Sequence, residues 1–198
     1  MEIQRESMEY DVVIVGAGPA GLATSIKLKQ INPDLNVCIL EKGSEVGAHI
    51  LSGNVFETRA LDELIPDWKE KGAPIKTKVK KEKFLFLGKK SSLSWPTWLL
   101  PSVQKNHKNY IISLANLCRW LAEQAESLGV EIFPGFAASK IIYDEDEKII
   151  GVQTGDMGID KEGNKKDSFE PGLNIMAKVT VFSAVSYTHL TLPTILLV

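Results

Sequence analysis

Three features near the N-terminus predict an α/β fold with a parallel sheet. "YDVVIV" is an apolar run of strand length, "GAGPAG" is a glycine turn directly behind it, and "LATSIKLKQ" continues as a helical pattern. A second strand, "NVCILE", then ends in Glu41, twenty positions beyond Gly21. Gly16 permits the tight turn out of the strand, Gly18 lets backbone approach a pyrophosphate, and Gly21 lets the helix pack on the strand. The helix N-terminus offers unpaired N–H groups and the positive end of its dipole to an anion. Glu41 stands where a carboxylate accepts hydrogen bonds from a ribose and repels a 2′-phosphate. Together these elements specify a Rossmann-like dinucleotide site. They leave open which dinucleotide it takes, because the same fold serves several.

Composition is compatible with such a domain. At 198 residues, 44% hydrophobic and 24% charged, the chain can bury a core. A net charge of -2 argues against a nucleic-acid partner. No run of about 18 apolar residues is present, so no transmembrane helix is expected. "MEIQRESMEY" carries three glutamates and reaches the first strand at once, unlike a signal peptide or a basic transit peptide. A bacterial cytosolic origin is the resulting expectation.

Beyond Gly53, "ETRALDELIPDW" places Leu61, Leu64, Ile65 and Trp68 at helical spacing, and Pro66 breaks the pattern near its end. Asp62, Glu63 and Asp67 make its polar side acidic, which suits a core-packed helix better than an interfacial one. "KTKVKKEKFLFLGKK" follows, with five lysines from Lys76 to Lys83. It reads as a solvated hairpin edge protected by lysines; a basic run can also gather anionic lipid or steer an acidic carrier. "SWPTWLLPS" sets Trp95, Trp98, Leu99 and Leu100 between prolines that preclude a regular helix. A membrane–water interface and a loop packed on the core explain it equally well.

Asn109 is the predicted cap of the next helix. In that helix Leu114, Leu117, Cys118, Leu121, Ala125 and Leu128 recur on one face, and Gly129 ends it. Arg119 and Gln124 lie outside that face as candidates for cofactor contact. "VEIFPG" predicts a third parallel strand, "KIIYDEDEKIIGVQTG" a hairpin with an acidic tip from Asp144 to Glu147, and "AKVTVF" a further strand. Cys38 and Cys118, far apart and without a CxxC pattern, read as buried small hydrophobes. No GxSxG or HExxH pattern occurs, and the histidines are scattered, so no acid–base pair or nucleophile emerges.

The turn "GAGPAGLA", with Pro19 and Ala20 behind the second glycine, resembles FAD-binding proteins of the two-dinucleotide-fold type. The stretches "GAHILSG", "ELIPDWKEKGAPI", "NYIISLANLCRWLAEQAESLGVEIFPGFAAS" and "GVQTGDMGIDKEGNKKDSFEPG" resemble, in the same order, electron transfer flavoprotein-ubiquinone oxidoreductase, from about Tyr10 to Ala184. That resemblance implies an N-terminal fragment of such an enzyme, with a truncated FAD-binding fold and part of a second, quinone- and membrane-associated domain. It implies FAD held by Gly16, Gly18, Pro19, Ala20, Gly21, Glu41 and Lys42, with Gly47, Ala48, His49, Ser52 and Gly53 on the flavin side. The segment from Val46 to Trp68 would then approach a membrane as part of the quinone entrance. Ser113 stands where many members of the family carry arginine, so no flavin contact is assigned there.

The family also carries a [4Fe-4S] cluster, which needs four thiolates; with two cysteines here, its ligands would lie beyond this chain. Implied partners are electron transfer flavoprotein, ubiquinone and a membrane surface, on the cytoplasmic side of a bacterial inner membrane. Expected segments are 1–49 and 109–184 for the FAD-binding domain and 50–108 for an insertion. In 185–198, "VSYTHLTLPTILLV", the run up to Thr194 resembles a translated sequencing-library adaptor and is excluded from fold reasoning. Two rival readings are an NAD(P)H-dependent reductase or hydroxylase of the same fold, and a dinucleotide-binding module without turnover.

Overall fold

The computed structural model describes residues 4–50, 53–160 and 164–184. Ser52 and the tail 185–198 therefore lie outside the described residues. The chain divides into two compact units, one of Met1–Ile50 with Cys118–Val198 and the other of Leu51–Leu117.

In chain order the elements are β1 (Ser7–Val15), α1 (Pro19–Ile31), β2 (Val37–Glu41), β3 (Asn54–Phe56) and α2 (Arg59–Leu64). Next come β4 (Thr77–Lys78), β5 (Phe84–Leu87), β6 (Ser92–Trp95), β7 (Tyr110–Ile112) and α3 (Leu114–Ser127). The rest are β8 (Glu131–Pro134), β9 (Ala138–Tyr143), β10 (Ile149–Thr154), β11 (Met157–Ile159), β12 (Lys165–Glu170) and β13 (Asn174–Phe182).

The first unit is organised by a six-stranded sheet in the order β8-β2-β1-β13-β10-β9. The members β8, β2, β1 and β13 run parallel, and β10 and β9 add on antiparallel. β1 lies between β2 and β13, with Val13 opposite Cys38 on one side and Thr180 on the other. Burial on both faces explains its unbroken apolar run: Val13 and Ile14 are fully buried although they point to opposite sides. One face packs Tyr10, Val13, Val15, Cys38, Leu40, Val152 and Ile175 into a core, with Phe133 and Phe136 against it. Phe133 meets Tyr10 and Phe136 edge-to-face at 6.4 and 6.1 Å. In α1, Leu22 and Ile26 are buried. Lys29, also buried, donates from Nζ to the carbonyls of Pro33 at 2.6 Å and Leu35 at 3.0 Å, closing the turn into β2. The hairpin β9–β10 turns at Asp144–Lys148, whose Asp144 carboxylate accepts from the N–H groups of Asp146 and Lys148. A separate two-stranded sheet, β11–β12, follows.

The second unit holds a three-stranded antiparallel sheet, β3-β7-β4, and the two-stranded hairpin β5–β6. α2 is shorter than its pattern: it ends at Leu64, before Pro66, and turns carry the chain to Trp68. Leu61, Ile65 and Trp68 are buried, as a core-packed helix requires, and Trp68 Nε1 donates to Asp62 at 2.7 Å.

The predicted cap of α3 needs correction. Asn109 precedes β7, which pairs with β3 and β4, so the helix starts later. Ser113 occupies the capping position, its Oγ accepting from the Asn116 N–H at 3.4 Å. Leu128, placed on the apolar face by spacing, is 40% exposed, while Trp120 is buried instead. Leu117, Cys118, Leu121 and Ala125 are buried as expected.

Candidate functional site

At the C-terminal end of β1 the chain is held from both sides. The Gly16 N–H donates to the Leu40 carbonyl of β2 at 2.8 Å, and Ser183 N–H donates to the Val15 carbonyl at 2.9 Å. Gly16 adopts φ +108°, and a Cβ there would stand 3.1 Å from the Ala184 nitrogen. Gly21 is fixed for a different reason, since its Cβ would fall 2.1 Å from the Gly16 carbonyl oxygen. The helix can approach the turn this closely only without a side chain. Gly18 is the N-cap of α1 with extended backbone, and a Cβ there would meet nothing within 4 Å. Open space thus lies over the first turn of a 13-residue helix whose N-cap supplies no side-chain bond and whose first residue is Pro19.

Glu41 closes the other side of the turn. Its Oε2 accepts from the Ala17 N–H at 2.9 Å and its Oε1 from the Gly43 N–H at 2.7 Å. A carboxylate offers about four acceptor sites, so these two bonds orient it while leaving lone pairs free. The Gly43 carbonyl in turn accepts from Gly135 N–H at 2.7 Å, tying the loops after β2 and β8 together. A Cβ on Gly43 would stand 3.1 Å from Glu41 Oε1 and 3.3 Å from His49 Nδ1, so imidazole and carboxylate share one corner. Beneath them, burial pushes the Cys118 thiol up to about 11, with the Glu41 charge adding to the effect. Cys38 is raised by burial to about 12. Both cysteines are free and buried, as small hydrophobes would be.

These groups border a cleft of about 280 Å3. Of the residues expected at the site, Gly16, Gly18, Glu41, Lys42, Gly47 and His49 line it. Gly21 is buried beneath the turn, while Pro19 and Ala20 are exposed on the first turn of α1. Ala48 is exposed, its N–H bonded to the Glu45 carbonyl at 3.3 Å. Gly53 falls in the second unit, where its N–H donates to the Ile112 carbonyl. Arg119 donates to Glu45 at 3.0 Å, at the start of the turn that carries Gly47 and His49.

The opposite wall was not foreseen. Phe136 and Ala137 follow β8, Ala138 opens β9, and Ser183 and Ala184 follow β13. The available signal was the small residues of "AAS" and "SA" at strand ends, which leave room for a ligand beside backbone. For a cluster the donor set does not fit: among the described residues no group of three or more His, Cys, Asp or Glu side chains could hold a metal ion.

Comparison with known proteins agrees with this architecture. The Thi4 family model matches residues 1–63. Electron transfer flavoprotein-ubiquinone oxidoreductase, mitochondrial, of Oryza sativa subsp. japonica is 54% identical over 183 residues, covering 90% of this chain and 31% of that protein. Its Pseudomonas aeruginosa counterpart is 53% identical over 194 residues, covering 95% of this chain and 35% of that protein. The chain therefore spans about a third of the length of these curated relatives. Among solved structures, a geranylgeranyl bacteriochlorophyll reductase-like protein from Thermoplasma acidophilum has a TM-score of 0.61 at 21% identity, covering 89% of this chain and 39% of that one. The myxobacterial halogenase CndH, a variant of FAD-dependent halogenases, has a TM-score of 0.58 at 16% identity, covering 92% and 38%. The chain thus has the Rossmann-like α/β fold of FAD-dependent oxidoreductases and, along nine-tenths of its length or more, is similar in sequence to electron transfer flavoprotein-ubiquinone oxidoreductases.

Proposed function

We propose that this chain forms the FAD-binding part of an electron transfer flavoprotein-ubiquinone oxidoreductase, an enzyme passing electrons from reduced electron transfer flavoprotein to ubiquinone at a membrane surface. The observation that carries the reading is the Glu41 carboxylate, held by two backbone N–H groups at the mouth of a glycine turn. The sequence similarity of nine-tenths of the chain supports the choice of reaction.

The residues present fit FAD. The open space above Gly18 and the first turn of α1 would take the pyrophosphate. Glu41, already oriented, would accept from the ribose hydroxyls, and Lys42 would flank the adenosine. Gly47 and His49 would stand towards the flavin; Ala48, Ser52 and Gly53 are assigned to the same side by the sequence resemblance alone. A cleft of about 280 Å3 falls just below the usual size of ligand sites, roughly 300–1,000 Å3. It holds part of a dinucleotide, and the remainder would extend along the open face. Bound FAD would supply the redox chemistry; the protein's residues position it and keep a 2′-phosphate away.

Segments 1–49 and 109–184 would build this domain, with 50–108 directed towards quinone and membrane. Attachment would be peripheral, at the cytoplasmic face of a bacterial inner membrane; among the described residues no helix is long and apolar enough to cross a membrane. α2 does not serve that contact well, because Leu61, and Ile65 and Trp68 just beyond the helix, are buried. The exposed apolar groups lie instead from Leu85 to Val103, mixed with lysines.

Titration of the full chain with FAD, followed by quenching of flavin fluorescence, tests the cofactor. Saturable one-to-one binding is expected, weakened about tenfold or more in Glu41→Ala, which loses charge-assisted acceptors. Absence of binding by a folded chain, or an unchanged affinity in that variant, sinks the assignment.

A further inference from the structure

After β2 the chain leaves regular structure, and in the stretch 42–50 it supplies Lys42, Gly47, His49 and Ile50 to the lining of the cleft. Such a stretch is placed by its anchors, since no ladder of backbone bonds runs along it. The first anchor is tight. Glu41 Oε1 accepts from the Gly43 N–H at 2.7 Å, and the Gly43 carbonyl accepts from the Gly135 N–H at 2.7 Å. Beyond Gly43 the bonds within the turn are longer: Ala48 N–H reaches the Glu45 carbonyl at 3.3 Å and Ile50 N–H the Gly47 carbonyl at 3.2 Å, at the outer edge of good N–H···O geometry.

A second anchor comes from α3. Arg119 donates to Glu45 Oε1 at 3.0 Å, across 74 positions of sequence. The helix is able to hold that guanidinium in place, because Cys118, Trp120, Leu121, Ala122 and Ala125 around it are buried in the core. The Cys118 thiol registers the arrangement: burial raises it most, the Glu41 charge raises it further, and the Arg119 charge opposes them. The carboxylate that opens the turn and the guanidinium that anchors it thus lie within range of one buried sulfur. The side chains of Arg119 and Glu45 are 42% and 63% exposed, so their pairing adds little to global stability. Its effect is geometric. A guanidinium–carboxylate bond is charge-assisted and directional, and it ties the residue whose carbonyl holds the Ala48 N–H to a rigid helix.

We propose that Arg119 is a positioning residue for the flavin half of the cofactor: acting through Glu45, it fixes the turn that presents Gly47 and His49 to the cleft. This rests on the FAD reading above and adds a division of labour to it. The adenosine diphosphate half depends on the glycine turn and on Glu41, whose bonds to the Ala17 and Gly43 N–H groups do not pass through Glu45. The flavin half depends on a turn held from α3.

Titration calorimetry of the full chain with FAD and, separately, with ADP tests it. Arg119→Ala should bind FAD about fivefold more weakly and ADP within about twofold of the parent, at an unchanged urea midpoint, whereas Glu41→Ala should weaken both ligands. Arg119→Glu should do worse than Arg119→Ala, because two carboxylates then face each other. Adding Glu45→Arg to it should restore FAD binding to within about twofold of the parent. In the cofactor-free chain, hydrogen exchange at the Ala48 and Ile50 N–H groups should be about fivefold faster in Arg119→Ala and unchanged at the Gly43 N–H. Unaltered FAD affinity, an equal loss for ADP, no recovery in the reversed pair, or unaltered exchange in the turn overturns the inference and leaves the cofactor reading standing. A folded parent that does not bind FAD overturns the cofactor reading, and this inference with it.

Discussion

The two units of the molecule use apolar residues in opposite ways. In the first, strands buried on both faces place backbone against backbone so tightly that the site is defined by missing side chains, as at Gly21. In the second, a ribbon leaves Phe86, Leu87 and Leu93 in contact with water. One region is specified by what cannot be added, the other by what has not yet been covered. Substitution should therefore act through stability in the first unit and through association in the second.

The largest expected effect is at the tightest point. Gly21→Ala puts a methyl 2.1 Å from the Gly16 carbonyl oxygen, which backbone must move to admit. A loss of about 3 kcal/mol or more is expected from such overpacking, read as a lower urea midpoint together with lost FAD binding. A midpoint shift under about 1 kcal/mol would break the contrast between the units.

A middle-sized effect belongs to the ion pair that ties the N-terminal segment to the end of the sheet. Asp156 receives two hydrogen bonds from the Arg5 guanidinium and one from the Gly172 N–H at 2.8 Å. The Arg5 bonds first, and then the Gly172 N–H, hold its carboxyl down to about 2. A folded value below the unfolded one, about 3.9, means that the pair stabilises above about pH 4 and that this is lost as pH falls through about 2. Both side chains are partly exposed, so screening reduces the gain to about 1 kcal/mol. Asp156→Asn should lose that amount at about pH 7, with the difference from the parent closing as the pH approaches about 2. A difference that persists undiminished at about pH 2 would show that the pair's charge is not its source.

The smallest effect sharpens the comparison from the other side. Leu87→Ser removes a side chain already 79% exposed, and stability should change by less than about 0.5 kcal/mol. Denaturation in the absence of lipid checks it, and a loss above about 1 kcal/mol would mean that the ribbon packs on something within the chain.

How much could be read from the sequence follows the same divide. β1, the turn, α1 and β2 were legible because their cause is local: the glycine spacing, the strand-to-helix switch and Glu41 lie within one stretch of chain. The far wall of the cleft was not, because Phe136 and Ala184 reach it through parallel pairing of β8 with β2 and of β13 with β1, which no local pattern announces. Asn109 was misread as a cap for a related reason. Its capping chemistry is sound, but Tyr110–Ile112 is drawn into a sheet by β3 and β4, and Ser113 then takes the role. In the hairpin, the lysine-protected, solvated edge was legible, while the exposure of Phe86, Leu87 and Leu93 was not, since it depends on what fails to pack against them.

The position of β1 between β2 and β13 also sets a timetable. During synthesis β1 can find β2 almost at once, but Ser7 pairs with Asn174 and Val15 with Phe182, near the other end of the sequence. At roughly 5–20 residues per second, the second edge of β1 stays open for about ten to thirty seconds on the ribosome. Throughout that interval the turn lacks the wall supplied by Ser183 and Ala184, and a bare strand edge is open to mispairing. The cleft beside Gly16 accordingly gains its far wall only after Ser183 and Ala184 have been made, and whatever shields that edge in the cell must act before then.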